Sequence, residues 1–508
     1  MGRLSESPAS CPARLTNGQV RDLPHHGAPG LLLGVRRAIQ ACDAYALPVL
    51  YSGETPEPPT KIPRAASASR IEFSALRDIQ CSMRITFDDV LAARDRIAGG
   101  VARTPCLRSA PLSELTGCNV FVKMDNLQRT GSFKERGARN ALLLLSDEQR
   151  TRGVIAASAG NHALGLAYHC QLLGVPATVV MPESAPLVKR AMCEQLGATV
   201  ILCGQTFDDA YHKARELSQQ QSLAYVHGYD DPAIIAGQGT MGLEIIEQVR
   251  DATGANPDAV IVPIGGAGLI AGVATAVKHE SPDTLVLGVE PERAATFHAA
   301  RARGGPAHVD VGKTLADGLA TPDVGANAFE TADPLVDGLV MVDEAAISIA
   351  VLRLMEHEKS VVEGAGASPL AALIRHVEEG LFDADWPDLR GKIVVLPLCG
   401  GNIDPAMIGR VIERGLAADG RLTRFVVTIS DRPGGLARLT GAIANIGASV
   451  RDVWHDRAFA TSDLASVDVR CLVETSGPEH VKQLMAALDA EGFNVRIEHG
   501  RKALEEAT

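Results

Sequence analysis

One lysine stands in a segment whose composition suits covalent chemistry with a carbonyl compound. Lys134 lies in the run Thr130-Gly131-Ser132-Phe133-Lys134-Glu135-Arg136-Gly137-Ala138, where small residues precede it and the aromatic Phe133 adjoins it. A lysine in such a setting can give up its proton and form a Schiff base with a carbonyl cofactor. A cofactor of this kind also needs a phosphate cradle, a partner for its ring and a loop for the substrate. The chain contains a candidate for each.

The candidate phosphate cradle is the run Gly265-Gly266-Ala267-Gly268-Leu269, which follows a predicted strand at Val260 and opens a predicted helix. Glycines let backbone N–H groups converge on an anion, and the start of a helix adds the positive end of its dipole. The run therefore predicts a phosphate site, although a strand–helix turn without a ligand uses the same residues.

The candidate substrate loop is Ser158-Ala159-Gly160-Asn161-His162, which follows a predicted strand at Val154 and starts another helix. The N–H groups at that helix start can hold a carboxylate. Asn161 can donate a hydrogen bond to a ring hydroxyl, or it can cap the helix. We interpret His162 as a residue of the helix start or of the packing rather than as a catalytic base.

The candidate ring partner is Cys399, which precedes Gly400-Gly401-Asn402 at the end of the last strand of the catalytic region. The chain has ten cysteines and no Cys-x-x-Cys pair. This distribution fits neither a zinc site nor a compact disulfide framework, and it indicates reduced thiols in a cytoplasmic protein. Cys399 is singled out by its place at a strand end.

The segment from Leu127 to Ala138 resembles the Schiff-base lysine motif of the fold-type II pyridoxal-phosphate enzymes, the tryptophan-synthase-β-like family. Within that family it is most similar to the threonine dehydratases, and the likeness runs from about Met83 to about Arg414. The resemblance implies pyridoxal 5'-phosphate as the cofactor and gives each candidate a role. Cofactor binding falls to Phe133, Lys134, Asn161, Cys399 and the loop from Gly265 to Leu269, and substrate binding falls to the loop from Ser158 to His162.

The implied reaction converts L-threonine to 2-oxobutanoate and ammonia, with Lys134 as the general base and L-serine as a poorer substrate. Serine racemases carry a serine where this chain has Ala159, and alanine cannot transfer a proton, so elimination is favoured over racemisation. The resemblance implies no metal, because Thr296 stands where the racemase cation site has a further carboxylate. Other hydroxy-amino-acid lyases, for serine or 3-hydroxyaspartate, stay open, as does a serine racemase.

An interpretation from a different class is a nucleotide-binding oxidoreductase. Gly266 and Gly268 after a strand, with Glu290 about twenty residues later, imitate a dinucleotide fingerprint. The run Gly237-Gln238-Gly239-Thr240-Met241-Gly242 has the same glycine spacing, but Asp230-Asp231-Pro232 precedes it where a strand should be. The oxidoreductase interpretation gives Lys134 no role in binding or catalysis. A non-catalytic amino-acid sensor is a third interpretation, and the intact lysine disfavours it.

The elements that must position these residues alternate between short apolar runs and helical patterns. Five runs are predicted to be buried strands: 153–157, 177–181, 198–202, 259–264 and 393–398. A predicted helix follows each of the first four, which is typical of parallel sheets with crossover helices. Ligands bind at the carboxyl ends of such strands, where the candidate motifs fall. We expect an α/β fold-type II catalytic region with two parallel-sheet subdomains in residues 83–416.

A second domain is predicted for residues 424–500, with the order β-α-β-β-α-β of a ferredoxin-like fold. The turn from Asp431 to Leu436 and the run Asn445-Ile446-Gly447-Ala448 resemble those of an ACT domain, an amino-acid-sensing module. The resemblance implies a regulatory effector, isoleucine or valine, bound by Gly434, Gly435, Asn445 and Ile446. It also implies a homodimer or homotetramer that serves isoleucine synthesis or threonine breakdown.

Composition sets the remaining expectations. A formal net charge of −12 and an aromatic content of 4% in 508 residues argue against a nucleic-acid surface. No apolar run approaches the ~20 residues that a membrane-spanning helix needs. Residues 1–82 show a proline-rich stretch (Thr55-Pro56-Glu57-Pro58-Pro59) and no sustained periodicity, so we expect a poorly ordered N-terminal extension.

Overall fold

The computed structural model describes residues 84–380, 386–456 and 465–498. The extension expected over residues 1–82 lies outside these ranges. Fourteen strands are assigned in them: β1 (Cys106–Arg108), β2 (Asn119–Lys123), β3 (Val154–Ala157), β4 (Ala177–Met181), β5 (Thr199–Leu202), β6 (Ala224–Tyr225), β7 (Ala259–Pro263), β8 (Leu285–Pro291), β9 (Gly338–Val342), β10 (Ile393–Pro397), β11 (Leu422–Ser430), β12 (Ser449–Asp456), β13 (Ser466–Glu474) and β14 (Asn494–Ile497).

Sixteen α-helices are assigned in the same ranges: α1 (Phe87–Ile97), α2 (Ala110–Thr116), α3 (Lys134–Leu143), α4 (Asp147–Arg152), α5 (Asn161–Leu173), α6 (Leu187–Gln195), α7 (Phe207–Gln221), α8 (Pro232–Thr253), α9 (Gly268–Glu280), α10 (Thr296–Arg303), α11 (Ala326–Ala332), α12 (Glu344–Glu358), α13 (Gly364–Glu379), α14 (Pro405–Ala418), α15 (Gly435–Asn445) and α16 (Pro478–Ala490). No helix in these parts of the chain is both long and apolar enough to cross a membrane.

The strands of the catalytic region form two sheets. The larger has the order β1-β2-β10-β7-β8-β9, and its pairs are parallel except for the antiparallel pair β1–β2. The smaller has the order β5-β4-β3-β6 and is parallel throughout. The strands β3, β7 and β10 are buried along most of their length, as expected of strands covered on both faces. The five predicted strands and the helices after the first four are confirmed, and so is the α/β fold class. The expectation that all five strands are buried is wrong for β5, an edge strand whose residues are exposed or half-buried.

The third sheet is antiparallel and has the order β12-β13-β11-β14. Its elements follow one another as β11-α15-β12-β13-α16-β14, so the ferredoxin-like arrangement is confirmed. Phe425, Val427 and Ile429 of β11 pack with Leu439 and Ile443 of α15 in one apolar core. The alternate residues of the strand therefore face away from the helices.

Glycines let the long helix α8 approach its neighbours closely. A Cβ on Gly237 would lie 2.6 Å from the Cα of Gly137 in α3, and a Cβ on Gly272 of α9 would lie 2.5 Å from the amide nitrogen of Gly239. The glycine run 237–242 thus lies inside a helix and has a packing role. As the missing strand before it indicated, the run is not a dinucleotide-binding loop.

Candidate active site

Lys134 is the first residue of α3, and backbone bonds tie its segment to the end of β10. Phe133 N–H donates to the carbonyl of Cys399 at 2.9 Å, and Ser132 forms an antiparallel bridge with Gly400. The Lys134 Nζ donates to the carbonyl of Gly228 at 2.7 Å. Burial lowers the pKa of this amine to about 8, although Cys399 and Glu363 oppose the shift. A useful fraction of Lys134 is therefore neutral near physiological pH and able to accept a proton.

A buried ion cluster anchors the same helix two residues later. The guanidinium of Arg136 donates to Asp125 at 2.6 and 2.9 Å and to Glu244 at 2.7 and 2.9 Å. Arg136 and Asp125 are fully buried. Loss of one partner from such a cluster leaves an uncompensated charge and costs about 3–5 kcal/mol. The cluster therefore holds the start of α3, and with it the backbone of Lys134, in one position.

Cys399 lies two residues beyond β10 and is 2% exposed. Burial is the main reason that the pKa of its thiol lies far above the usual value, and the nearby Glu363 adds to the shift. The thiol is therefore neutral at any physiological pH. A neutral group at this position is what the ring-partner hypothesis for Cys399 requires.

The glycine loop has little space for side chains. A Cβ on Gly266 would lie 2.2 Å from the ring of Tyr229, and one on Gly268 would lie 2.3 Å from the Tyr229 carbonyl oxygen. Ala267 adopts a left-handed conformation, with φ 70°, as the N-cap of α9. The first N–H groups of a helix have no acceptor within it. The loop from Gly265 to Leu269 thus presents backbone donors next to Tyr229. Tyr229 follows Gly228, whose carbonyl accepts the hydrogen bond from Lys134.

The substrate-loop candidate connects β3 to α5. Gly160 is the N-cap of α5, so the alternative that Asn161 caps the helix is wrong. Ser158 Oγ accepts a hydrogen bond from Gly160 N–H at 3.2 Å. Asn161 Nδ2 donates to Glu363 Oε1 at 2.6 Å, and Asn161 Oδ1 accepts from Asn402 Nδ2 at 3.0 Å. These two bonds join the loop to the segments that carry Cys399 and the start of α13.

His162 is 4% exposed, and its Nε2 lies 3.1 Å from the carbonyl oxygen of Val226. Burial, reinforced by the charge of Lys134, lowers the pKa of this imidazole to about 3. The ring is neutral, and Nε2 is its donor to Val226. Its position agrees with a packing residue of the helix start, as the sequence was interpreted.

Three functional groups were missed by sequence reasoning. Glu363, 4% exposed, has a pKa raised to about 7, chiefly by burial and then by Asp317. The half-buried His227 accepts bonds from the N–H groups of Tyr229 and Asp230, and so shapes the turn that carries Gly228. Asn402 was quoted only as part of a motif. The one signal in the sequence that could have identified Glu363 was the place of its carboxylate directly before the glycine-rich start of a helix.

Glu290 has a structural task. Its buried carboxylate accepts from Phe297 N–H at 2.6 Å and from His298 N–H at 2.9 Å, at the start of α10. The oxidoreductase interpretation needs this carboxylate free for a ribose, so that interpretation is wrong. Within residues 84–380, 386–456 and 465–498, no group of three or more His, Cys, Asp or Glu side chains is arranged to hold a metal ion.

The four residues expected to bind an effector do not meet in one chain. Gly434 is the N-cap of α15, whereas Asn445 is its last residue, about 16 Å further along the helix axis. Gly435 N–H already donates to the carbonyl of Arg432 within the turn, and the Ile446 carbonyl accepts from His480. Within one chain, the length of α15 therefore separates Gly434 and Gly435 from Asn445 and Ile446.

The assembled catalytic residues fit pyridoxal phosphate. Lys134 is a half-buried lysine whose amine has a lowered pKa, Cys399 is a neutral thiol, and the glycine loop approaches Tyr229 too closely for a side chain at Gly266. The hydroxyl of Ser132 is buried and, among the described residues, has no hydrogen-bond partner. The pocket thus combines an amine for the carbonyl, backbone donors for the phosphate and polar groups for the ring.

Comparison with known proteins also indicates an enzyme that uses pyridoxal phosphate. The family described as pyridoxal-phosphate dependent enzyme matches residues 97–400. This chain belongs to the pyridoxal-phosphate dependent enzymes. It is 42% identical over 413 residues to an L-threonine ammonia-lyase of Thermotoga maritima, an alignment that covers 81% of this chain and 99% of that protein.

Solved structures of a threonine deaminase and of a serine racemase are similar to the catalytic region. A threonine deaminase from Solanum lycopersicum has a TM-score of 0.59 and 36% identity, over 64% of this chain and 91% of that one. A serine racemase from Dictyostelium discoideum has a TM-score of 0.57 and 35% identity, over 63% and 99%. Fold similarity alone does not separate lyase from racemase.

Proposed function

We propose that this pyridoxal-phosphate dependent enzyme is an L-threonine ammonia-lyase, which converts L-threonine to 2-oxobutanoate and ammonia. The observation that carries the proposal is Lys134, a half-buried lysine whose amine has a pKa of about 8 beside a neutral thiol, in a chain that has alanine at position 159. The T. maritima enzyme adds support, because it is 42% identical to this chain over 81% of the chain's length.

Each residue of the pocket has a task in this reaction. The backbone donors of the loop from Gly265 to Leu269 would hold the cofactor phosphate, Cys399 would face the ring nitrogen and Asn161 the ring hydroxyl. When bound, pyridoxal phosphate supplies an electron sink for the bond between Cα and its hydrogen. The N–H groups at the start of α5 orient the substrate carboxylate.

Lys134 then moves the proton. Its neutral Nζ accepts the Cα proton as general base, and departure of the β-hydroxyl yields an enamine that hydrolyses to 2-oxobutanoate and ammonia. Ala159 offers no proton donor on the opposite side of Cα, so return of a proton with inversion is disfavoured. L-Serine follows the same course to pyruvate as a poorer substrate, because it lacks the methyl group that threonine buries.

The test is a direct assay of the full-length holoenzyme. We expect 2-oxobutanoate from L-threonine, a lower kcat/KM for pyruvate from L-serine, and no D-serine above the uncatalysed background. Formation of D-serine at a rate comparable to elimination would favour the racemase. A serine kcat/KM above the threonine value would favour a serine dehydratase, and either result would overturn the proposal.

The C-terminal domain is proposed to be an ACT-like regulatory unit, on the support of its βαββαβ order and its turn from Asp431 to Leu436. Since Gly434 and Asn445 lie at opposite ends of α15, they can line one site only when a second copy contributes one of them. We therefore expect a cytoplasmic homodimer or homotetramer that binds isoleucine or valine between copies, in the control of isoleucine synthesis or threonine breakdown.

A truncated variant tests the regulatory part. A chain ending at Asp419 keeps the ion pair between Arg353 and Asp419, at 2.6 Å, and removes the third sheet. We expect the full-length threonine saturation curve to shift on addition of isoleucine or valine, and the truncated enzyme to stay active without that shift. If neither amino acid moves the full-length curve, the domain has no such role, whatever the outcome for catalysis.

A further inference from the structure

The face of the third sheet that α15 and α16 leave uncovered forms a shallow cavity of about 370 Å³. Four residues of this face stand side by side in the strand register, one from each strand: Trp454, Arg470, Val426 and Arg496. We call the whole lining the basic sheet face; it consists of Arg424, Val426, Trp454, His455, Asp468, Arg470 and Arg496.

The charge of the basic sheet face is positive and only partly compensated. Arg470 and Arg424 share one carboxylate, Glu498, at 2.8 and 3.5 Å. No carboxylate of the described residues lies within ion-pair distance of Arg496. The one acidic side chain of the lining, Asp468, accepts a bond from Thr428 Oγ1 at 2.8 Å. In a chain of net charge −12, three arginines around one concavity form a local site for an anion.

The same face offers an aromatic surface. Trp454 is 47% exposed and lies opposite Arg470 on the neighbouring strand. An exposed indole beside a guanidinium suits a flat ring whose substituent carries negative charge, because the ring stacks on the indole while arginine donates to the anion. The buried Val426 lies on the strand between Arg470 and Arg496 and forms an apolar floor there.

A second copy of the domain is a poorer occupant. Packing two such faces together would bury six arginines against few carboxylates, and an uncompensated buried charge is costly. Charged residues other than arginine are rare at the centres of protein–protein interfaces, yet the basic sheet face also contains Asp468, on the inner strand β13.

We propose that the basic sheet face is a binding site for a small anion that carries a flat ring, such as an aromatic phosphate or carboxylate. The site is separate from the turn at Gly434 and from the catalytic pocket. Trp454 stacks on the ring, and Arg470 and Arg496 bind the anionic group.

The two tryptophans of the chain make the site directly measurable. Trp386 is 3% exposed, so a ligand that stacks on the basic sheet face should quench chiefly Trp454. The probes are phenyl phosphate, inorganic phosphate as an anion without a ring, and phenol as a ring without charge, each added to full-length holoenzyme. We expect saturable quenching by phenyl phosphate, competition without quenching by inorganic phosphate, and no saturation by phenol.

Variants identify the residues. Arg496→Gln and Arg470→Gln should each weaken phenyl phosphate binding at least about tenfold, because each removes a charge-assisted hydrogen bond. Trp454→Phe should abolish the quenching while calorimetry still detects binding. The matched control is Arg152→Gln, which removes an exposed arginine of α4 and should leave the Kd unchanged.

Three results would overturn the proposal: no saturation up to about 10 mM phenyl phosphate, wild-type affinity in Arg496→Gln, or an equal loss in Arg152→Gln. Light scattering can give a fourth result that would overturn the proposal. If Arg496→Gln changes the number of subunits and the wild type binds no probe, the face is a contact between copies. These measurements do not use turnover, so their failure leaves the proposed reaction untouched.

Discussion

The cofactor side and the substrate side of the active site are held in different ways. On the cofactor side, backbone bonds join the Lys134 segment to the Cys399 segment, with Phe133 N–H to Cys399 O at 2.9 Å and Gly401 N–H to Gly131 O at 2.9 Å. On the substrate side, the loop of Asn161 is joined across the cleft by side-chain bonds to Glu363 and Asn402. Side-chain bonds contribute about 1 kcal/mol each and break independently. The cofactor side is therefore preorganised, whereas the substrate loop can open at low cost.

The largest effect should come from the centre of the cofactor side. Lys134→Ala removes the amine that accepts the Cα proton, and we expect 2-oxobutanoate formation to fall at least about a thousandfold. The visible absorption band of lysine-bound cofactor should vanish, while the backbone donors of the glycine loop still retain cofactor noncovalently. Lys213→Ala, on the surface of α7, is the control and should behave as wild type. Activity of Lys134→Ala within tenfold of the control would remove Lys134 from the reaction.

A methyl group tests the rigidity of the glycine loop. In Gly266→Ala the new Cβ falls 2.2 Å from the Tyr229 ring, which is held by an edge contact with His227 at 4.6 Å and a hydroxyl bond to the Asp323 carbonyl. Because overpacking of this kind costs about 1–3 kcal/mol, the Kd of pyridoxal phosphate should rise at least about tenfold. Equilibrium dialysis measures it.

The adjacent residue provides the opposite control. Ala267 has φ 70°, a conformation that glycine adopts without strain, so Ala267→Gly should raise the free energy of unfolding by up to about 1 kcal/mol. If Gly266→Ala binds cofactor normally, the loop is more compliant than the contacts with Tyr229 indicate.

Glu363 connects the cofactor side and the substrate side, and its ionisation should make the free energy of unfolding depend on pH. Burial raises its pKa from 4.5 to about 7, so the folded state binds this proton more tightly than the unfolded chain. The contribution is fully present below pH 4.5 and is lost as the pH rises through 7. Glu363→Gln cannot ionise and still accepts from Asn161. Relative to wild type, its free energy of unfolding should therefore rise between pH 5 and 8 by up to about 3 kcal/mol.

Urea unfolding at several pH values measures this difference, with wild type as the reference at each pH. A pH-independent difference between the two proteins would mean that Glu363 ionises with an ordinary pKa. A difference of the opposite sign would mean that the carboxylate is stabilised by the fold.

The motifs of the cofactor side could be recognised in the sequence because each of them is contiguous. Lys134, the glycine loop and Cys399 each lie at a strand end or helix start, and these positions can be recognised from a few neighbouring residues. Glu363 could not be found in this way, since it lies 202 residues from Asn161 and nothing local shows that the two meet. The glycines from 237 to 242 show the complementary case: helix packing and nucleotide binding both call for glycine, and in the sequence only the missing strand before the run separated the two.

The smallest effect should come from the ion pair that crosses the cleft on the substrate side. Lys189 of α6 lies 3.7 Å from Asp317, which is 68% exposed at its side chain. The Lys189 side chain is only 14% exposed, but because its partner is open to solvent, a pair at this distance contributes at most about 1 kcal/mol. If the substrate loop closes by small steps, Lys189→Met should raise the threonine KM by up to about threefold and leave kcat within the same factor.

The matched control is Lys213→Met, which breaks a pair with Glu216 inside α7 and should leave both constants unchanged. Asp317→Asn should reproduce the effect of Lys189→Met, and the double variant should add nothing to either single change. A tenfold fall in kcat for Lys189→Met would contradict the comparison, because it would place the lysine in the reaction rather than in the closing of the loop. Equal effects from both lysines would show that the cleft pair has no role of its own.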